Sequence, residues 1–253
     1  MRQRSSKSWS STTREDGNGG AQPSQTKQLS WIELPPIAKR HQPNRLLVFL
    51  PGDGACAESF SPVAIAWQLK FPGALGVILQ PPLRGNAWWP SNSETRSGAR
   101  NAARAVAQQI RSLQSLWHLL PSQTAVIAFA QGAMLALELA RAPRSGAEGG
   151  PGAETRTCAL VVAYAARLAG PILVHESISC TIHLIHGDLD HRVPYVFGQQ
   201  AYRSLKAAGA DVTWDLLADA AHTIGQEGVI VGTTRAMQSI FRGRSRQAPP
   251  TLH

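Results

Sequence analysis

Four short stretches of the sequence carry carboxylate, amide or imidazole side chains, three of them beside glycine, and these groups bind polar ligands and transfer protons near neutral pH. They are residues 51–54 (PGDG), 128–132 (AFAQG), 186–190 (HGDLD) and 221–223 (AHT). Each follows an apolar run that is typical of a buried strand. Because ligands bind outside the carboxyl ends of the strands in an open parallel sheet, these stretches form the candidate site.

The elements that must position these stretches alternate between strands and helices. The apolar runs predict strands at residues 29–34, 45–50, 76–80, 124–128, 158–165, 181–185 and 211–217. Helices are predicted at residues 61–71, 99–120, 131–141, 195–208 and 227–241. Within 99–120 the apolar residues recur at spacings of three and four, which indicates one buried face. Together these patterns predict a three-layered α/β fold whose parallel sheet is covered on both faces.

One domain is predicted at residues 29–241, with a tail at each end. Residues 1–28 are rich in Ser, Gln and Gly, and such a segment cannot bury enough apolar surface to offset its ordering entropy. We therefore predict a disordered, basic tail at 1–28 and a second basic tail at 242–253. Two loops are predicted within the domain, a long one at 81–97 and a polar surface insertion at 142–156.

The net charge of +9 lies mostly in these tails. Residues 1–28 hold five basic and two acidic side chains, residues 242–253 hold three arginines and no acid, and the body between holds 17 basic against 14 acidic. The body has neither a basic stripe interleaved with aromatic residues nor a recognition-helix motif. Specific nucleic-acid binding is therefore not expected, although the tails leave open weak binding to anionic polymers.

Cysteine number and hydropathy restrict the class of protein further. Cys56, Cys158 and Cys180 are odd in number, far apart and without metal-ligand spacing, which argues against a disulfide framework and against a zinc site. We expect a reducing, cytoplasmic location, no metal and no cofactor. No apolar run reaches the roughly 18 to 20 residues that a membrane-spanning helix needs. The oligomeric state is left open by the sequence.

The stretch VIAFAQGAMLALELA resembles the strand, sharp elbow (GFSQG) and helix of the α/β-hydrolase fold. The resemblance is to the bacterial phospholipase/carboxylesterase family related to acyl-protein thioesterases, and it runs from about residue 46 to 241. HGDLDHRVP and DAAHTI are similar to the acid loop and the histidine loop of that family. The order nucleophile, Asp, His is that of the fold. The resemblance implies a mostly parallel central sheet and ester or thioester hydrolysis.

The sequence departs from the family pattern at three positions of the site. Ala130 stands where the resemblance implies the nucleophilic serine, so the attacking oxygen is missing. Ala128 replaces the first glycine of the elbow, and Pro51-Gly52 replaces the His-Gly that opens the oxyanion loop. Because proline lacks an N–H and fixes φ, we expect a reshaped loop. An engineered Ser-to-Ala change would explain Ala130 alone, whereas three departures favour natural drift.

The remaining roles follow from the resemblance. His222 would be the general base, and Asp190 would hold the second ring nitrogen of that histidine. The backbone N–H groups of Asp53 and Gln131 would stabilise an oxyanion. Trp88 and Trp89 form a tandem pair in a long loop and are interpreted as the wall of an apolar pocket, with ordinary packing as the alternative.

The sequence is compatible with two functions. The first is a serine carboxylesterase-type hydrolase whose activity is lost or vestigial because Ala130 has no hydroxyl. The second is a non-catalytic pseudo-hydrolase that binds an acyl or other apolar ligand, or a protein partner. In both, the expected ligand class is a small ester or acyl compound.

Overall fold

The computed structural model is built on an eight-stranded sheet, and it describes residues 2–4, 29–38, 42–90, 95–143, 156–178 and 180–247. The strands of this sheet are β1 (Arg2–Arg4), β2 (Trp31–Leu34), β3 (Arg45–Leu50), β4 (Ala74–Leu79), β5 (Thr124–Phe129), β7 (Leu160–Tyr164), β9 (Thr181–Gly187) and β10 (Val212–Leu217). Their spatial order is β1-β2-β4-β3-β5-β7-β9-β10. The six strands from β4 to β10 in this order are parallel, β2 runs antiparallel to β4, and β1 runs antiparallel to β2. The predicted α/β architecture is confirmed.

In the described part of the chain, five α-helices cover the sheet. They are α1 (Ala57–Lys70), α2 (Thr95–Trp117), α3 (Gln131–Leu139), α4 (Tyr195–Ala207) and α5 (Gln226–Gln247). A 3₁₀ turn at Pro121–Gln123 precedes β5, and a separate antiparallel pair joins β6 (Arg141–Pro143) to β8 (Glu176–Ile178). No described helix is long and apolar enough to cross a membrane.

The central strands are apolar throughout because both of their faces are buried. In β3, the side chains of Leu46, Val48 and Leu50 pack in the layer that contains α2, α3 and α4. Leu47 and Phe49 point to the opposite layer, with α1 and α5. Successive side chains of a strand point to opposite faces, so a strand covered on both sides needs an unbroken apolar run.

Several element boundaries differ from the prediction for reasons that lie outside the local sequence. Helix α1 begins at Ala57 rather than residue 61, because the side-chain carbonyl of Gln80 accepts the N–H of Ala57 at 2.8 Å and caps the first turn. Pro62 lies within this helix. Helix α2 begins at Thr95, inside the predicted loop at 81–97, and ends at Trp117. The pairing of β6 with β8 was not predicted.

The two tails also differ from the prediction where the structure describes them. Arg2–Arg4, within the segment predicted to be disordered, pair with β2, since strand pairing uses backbone groups and needs no apolar side chain. The rest of that segment, residue 1 and residues 5–28, lies outside the described residues. Helix α5 continues to Gln247, so the segment predicted as a tail at 242–253 begins as helix. Most of the predicted insertion, residues 144–155, also lies outside the described residues.

Candidate active site

The turn between β5 and α3 holds residue 130 in a strained conformation. Ala130 has φ 49° and ψ −114°, a region that costs a residue with a side chain about 1–3 kcal/mol. Its N–H donates to the carbonyl of Tyr164 at 3.0 Å, and its carbonyl accepts the N–H of Met134 at 3.0 Å. These bonds fix the turn to the neighbouring strand β7 and to the first turn of α3. Residue 130 therefore has a fixed position at the carboxyl edge of the sheet.

The loop at residues 51–54 lies directly against this turn. A Cβ added to Gly52 would be 3.2 Å from the Cβ of Ala130, which leaves little room for a larger residue at position 52. The carbonyl of Pro51 accepts the indole N–H of Trp88 at 2.8 Å. The backbone N–H of Trp88 donates to the side-chain oxygen of Gln131 at 2.8 Å. Trp88 thus ties the loop after β3 to the turn after β5.

Asp190 and His222, from the loops after β9 and β10, form a hydrogen-bonded pair. Nδ1 of His222 lies 2.8 Å from Oδ2 of Asp190. The other carboxylate oxygen accepts the N–H groups of Arg192 at 3.0 Å and Val193 at 2.8 Å. A carboxylate at Nδ1 selects the tautomer with the proton on that nitrogen, which leaves Nε2 as an acceptor. The imidazole is therefore arranged as a proton acceptor with a fixed orientation.

The His222 ring lies next to the strained turn. Its centroid is 4.6 Å from that of Phe129, the residue before Ala130. The His222 side chain is 15% exposed, whereas the Asp190 side chain is 1% exposed. The pair therefore has a buried carboxylate and an imidazole that solvent or a ligand can reach.

A second histidine, His186, supports the acid loop. Its Nε2 lies 2.7 Å from the carbonyl of Val193 and 3.4 Å from Oδ2 of Asp190. Burial lowers the pKa of His186, so the neutral ring is favoured and its Nε2–H donates to the carbonyl. His186 thus holds the backbone that presents Asp190.

A cavity of about 370 Å³ opens beside Ala130. It is lined by Asp53, Trp89, Thr95, Ala130, Gln131, Met134, Ala165, Arg167, Arg192, Val193 and Phe197. Four of the predicted site residues therefore share one cavity: Ala130, Asp53, Gln131 and Trp89. Trp88 is buried behind it and is not among the lining residues. Trp89 thus lines the cavity, whereas Trp88 joins the loop after β3 to the turn after β5.

A larger cavity, of about 480 Å³, lies away from these loops, beside α2 and the end of α3. A cluster of charges borders it, in which Arg141 lies 3.0 Å from Glu138 and Arg100 contacts Glu176. Burial raises the pKa of Glu138 and lowers the pKa of Arg141. Because these ion pairs join α2, α3 and β8, we interpret the cluster as structural. Among the described residues no group of His, Cys, Asp or Glu side chains could hold a metal ion.

The parallel sheet, the strained strand–turn–helix and the Asp–His pair at the strand ends define an α/β-hydrolase fold. Within that class, the chain belongs to the phospholipase/carboxylesterase family, whose model matches residues 86–231. The matched span contains Ala130, Asp190 and His222 but not the loop at residues 51–54.

The chain is also similar to individual proteins in sequence or in fold. The chain is 30% identical over 144 residues to esterase YpfH of Escherichia coli K12, and the match covers 55% of this chain and 57% of that protein. In structure it is similar to esterase PE8, with a TM-score of 0.71 and 24% identity over 84% of this chain and 99% of that one. The carboxylesterase of Bacillus cereus gives a TM-score of 0.67 at 11% identity, over 83% of this chain and 94% of that one.

The cavity is also lined by three residues that were not predicted from the sequence, Arg167, Arg192 and Phe197. Arg192 lies two residues after Asp190, and Arg167 lies three residues after the end of β7. Applying the strand-end rule to β7 as well would have indicated Arg167. No local signal indicates Phe197, because its place in the cavity depends on how α4 packs.

Proposed function

We propose that this chain is a carboxylesterase-type protein whose ester hydrolysis is lost or vestigial, and that it binds a small ester or acyl ligand beside Ala130. The observation that carries the proposal is the hydrogen-bonded pair of Asp190 and His222 beside a strained turn that has no hydroxyl. The pair supplies an oriented base, and the turn lacks the nucleophile that such a base would activate.

The roles in the proposal are those of a serine hydrolase. With serine at position 130, its Oγ would attack the ester carbonyl while Nε2 of His222 takes the hydroxyl proton. Asp190 would hold Nδ1–H and stabilise the imidazolium. The N–H groups of Asp53 and Gln131 would donate to the developing oxyanion, and Gln131 is suited to this because the first N–H groups of a helix have no intrahelical acceptor.

The size of the serine's contribution to kcat determines how much activity remains with alanine at position 130. Loss of the serine from such a triad lowers kcat by a factor of about 10⁶, since the three residues act as a unit. A residual acceleration of about 10³ to 10⁴ over water can come from binding and the oxyanion donors. In this chain His222 would have to activate a water molecule, which forms no acyl-enzyme. Ligand binding is therefore the larger part of the proposed function.

The test is to restore the missing oxygen. The Ala130→Ser variant and the unchanged chain are assayed with p-nitrophenyl acetate and p-nitrophenyl butyrate. We expect the variant to gain at least about 10³-fold in kcat/KM, because the chain retains the proposed base and the proposed oxyanion donors. Mass spectrometry during turnover should detect an acyl group on the variant.

The control uses two histidines in the Ala130→Ser background. His222→Ala should abolish the gain, whereas His175→Ala should leave it unchanged, because His175 is exposed and lies at the other cavity. If Ala130→Ser gains no activity, the proposal of a preserved hydrolytic apparatus is wrong, and a site remodelled for binding alone is favoured. Pro51 is then the first position to revert to histidine.

A further inference from the structure

The cavity beside Ala130 contains three charged side chains, two of which neutralise each other. Nη2 of Arg192 lies 2.8 Å from Oδ2 of Asp53. This ion pair joins the loop after β3 to the loop after β9, and it adds no net charge to the lining. The third charged residue is Arg167. The lining therefore carries one net positive charge, and Arg167 supplies it.

Arg167 reaches the cavity because of the turn that ends β7. Ala165 has φ 50°, in the left-handed region, and its N–H donates to the carbonyl of Ile185 at 3.0 Å. Ala166 is buried, so the chain turns sharply between the sheet and the exposed Arg167. In the part of the chain that the structure describes, no carboxylate forms an ion pair with this guanidinium. It is thus available to an anionic ligand.

The rest of the cavity suits an alkyl chain. Trp89 and Met134 are buried at its wall, and Val193 and Phe197 add apolar surface nearer to solvent. Its volume of about 370 Å³ falls in the range of small-molecule sites. A ligand that fills it would place apolar atoms against these side chains and could end in a charged group at Arg167.

We propose that the ligand of this site is an ester whose acyl chain ends in a carboxylate, and that Arg167 binds that carboxylate. The inference rests on the proposed function, since it takes the ester group to lie beside Ala130. A guanidinium suits this role because its planar N–H groups can bind both oxygens of a carboxylate. Arg192 is less suited to this role, because Asp53 already neutralises its charge.

The experiment compares two ligands that differ only at the chain end. Monoethyl adipate and ethyl hexanoate share the ester group and the alkyl chain, and one ends in a carboxylate where the other ends in a methyl group. Both are titrated calorimetrically into the unchanged chain, in which Ala130 forms no acyl-enzyme. At low ionic strength we expect monoethyl adipate to bind about fivefold more tightly, the upper end for an ion pair open to solvent. Salt at about 0.5 M should reduce this preference.

Variants assign the preference to one side chain. Arg167→Gln should make the two affinities equal. Arg203→Gln is the matched control, because Arg203 is exposed on α4 and does not line the cavity. It should leave the fivefold preference intact.

The possible failures are distinguishable. If neither ester binds, the proposed function is wrong and the inference falls with it. If both esters bind the unchanged protein equally, the proposed function stands and the preference for a carboxylate is wrong. If the preference persists in Arg167→Gln, the assignment to Arg167 is wrong.

Discussion

At the residue scale, His222 and His183 have different chemical roles because their surroundings differ. His222 has one carboxylate partner and an accessible ring, which suits proton transfer. His183, on β9, is fully buried between the hydroxyls of Thr213 at 2.7 Å and Ser239 at 2.9 Å. Burial, reinforced by the charge of Arg235, lowers the pKa of His183 from 6.5 to about 4. His183 is therefore a neutral structural group.

The lowered pKa of His183 predicts a loss of stability in acid. Below pH 6.5 the unfolded chain binds a proton at this residue that the folded chain does not bind until about pH 4. The contribution is thus fully present above pH 6.5 and is lost as pH falls to about 4. Over the whole window the loss is about 3 kcal/mol. Urea unfolding of the unchanged chain at pH 7 and at pH 4.5 measures it.

The His183→Gln variant separates this effect from the other acid-sensitive groups. Glutamine can form hydrogen bonds with both hydroxyls and does not titrate. Between pH 7 and pH 4.5, the variant should therefore lose about 2–3 kcal/mol less of its free energy of unfolding than the unchanged chain loses. Some dependence remains, because burial also lowers the pKa of His186. Equal pH dependence in the two proteins would contradict the assignment.

At the scale of elements, the close approach of α3 to β3 depends on Gly132. A Cβ at this position would lie 2.4 Å from the carbonyl oxygen of Leu50 and 2.5 Å from that of Pro51. Alanine in a helix is normally favoured over glycine by about 1 kcal/mol. Here the clash is with backbone atoms that cannot rotate away, so Gly132→Ala should lower the free energy of unfolding, by about 1–3 kcal/mol or more. Urea unfolding at neutral pH checks this.

Gly228 provides the matched control for Gly132. It also lies in the first turn of a helix, α5, but a Cβ there would meet its nearest neighbour at an ordinary 3.5 Å. Gly228→Ala should therefore leave stability unchanged or raise it by up to about 1 kcal/mol. If the Gly132→Ala and Gly228→Ala variants are equally stable, the close packing of α3 on β3 does not depend on glycine at residue 132.

The elements that the sequence predicts well are those whose signal is local. Strand β3 and the start of α4 fall where the apolar runs and helical periods place them. The start of α1 could not be predicted, because its cap is the side chain of Gln80, which lies directly after β4. Likewise, the contact between Arg141 and Glu176 joins segments that lie far apart in the chain.

The same division applies to the candidate site. Asp190 and His222 follow strand ends, so the topology of a parallel sheet predicts that they lie at one edge. The partner of Arg192 is Asp53, 139 positions away, and no sequence pattern indicates that contact. The positive φ of Ala130 is indicated only by the resemblance to a sharp elbow, since alanine itself gives no local preference for a positive φ.

At the scale of the whole molecule, the distribution of charge determines how the protein meets polyanions. The N-terminal segment holds five of the 25 basic residues within 28 positions. In the folded body, by contrast, several arginines are occupied by carboxylates, among them Arg100, Arg141, Arg192 and Arg235. The net charge of +9 therefore overstates the attraction that the body exerts.

We expect weak, salt-sensitive nucleic-acid binding that depends on the N-terminal segment. Replacing its five cations by glutamine preserves the chain length and the backbone pairing of β1, and it should lower the slope of log K against log salt by up to about 4. The replaced residues are Arg2, Arg4, Lys7, Arg14 and Lys27.

The control replaces five exposed cations of the body, Lys70, Arg84, Arg104, Arg203 and Lys206. Fluorescence anisotropy of a labelled single strand across a salt series measures both. If the control replacements lower the slope more than the N-terminal replacements do, the polyanion-binding surface lies on the folded domain and not on the N-terminal segment.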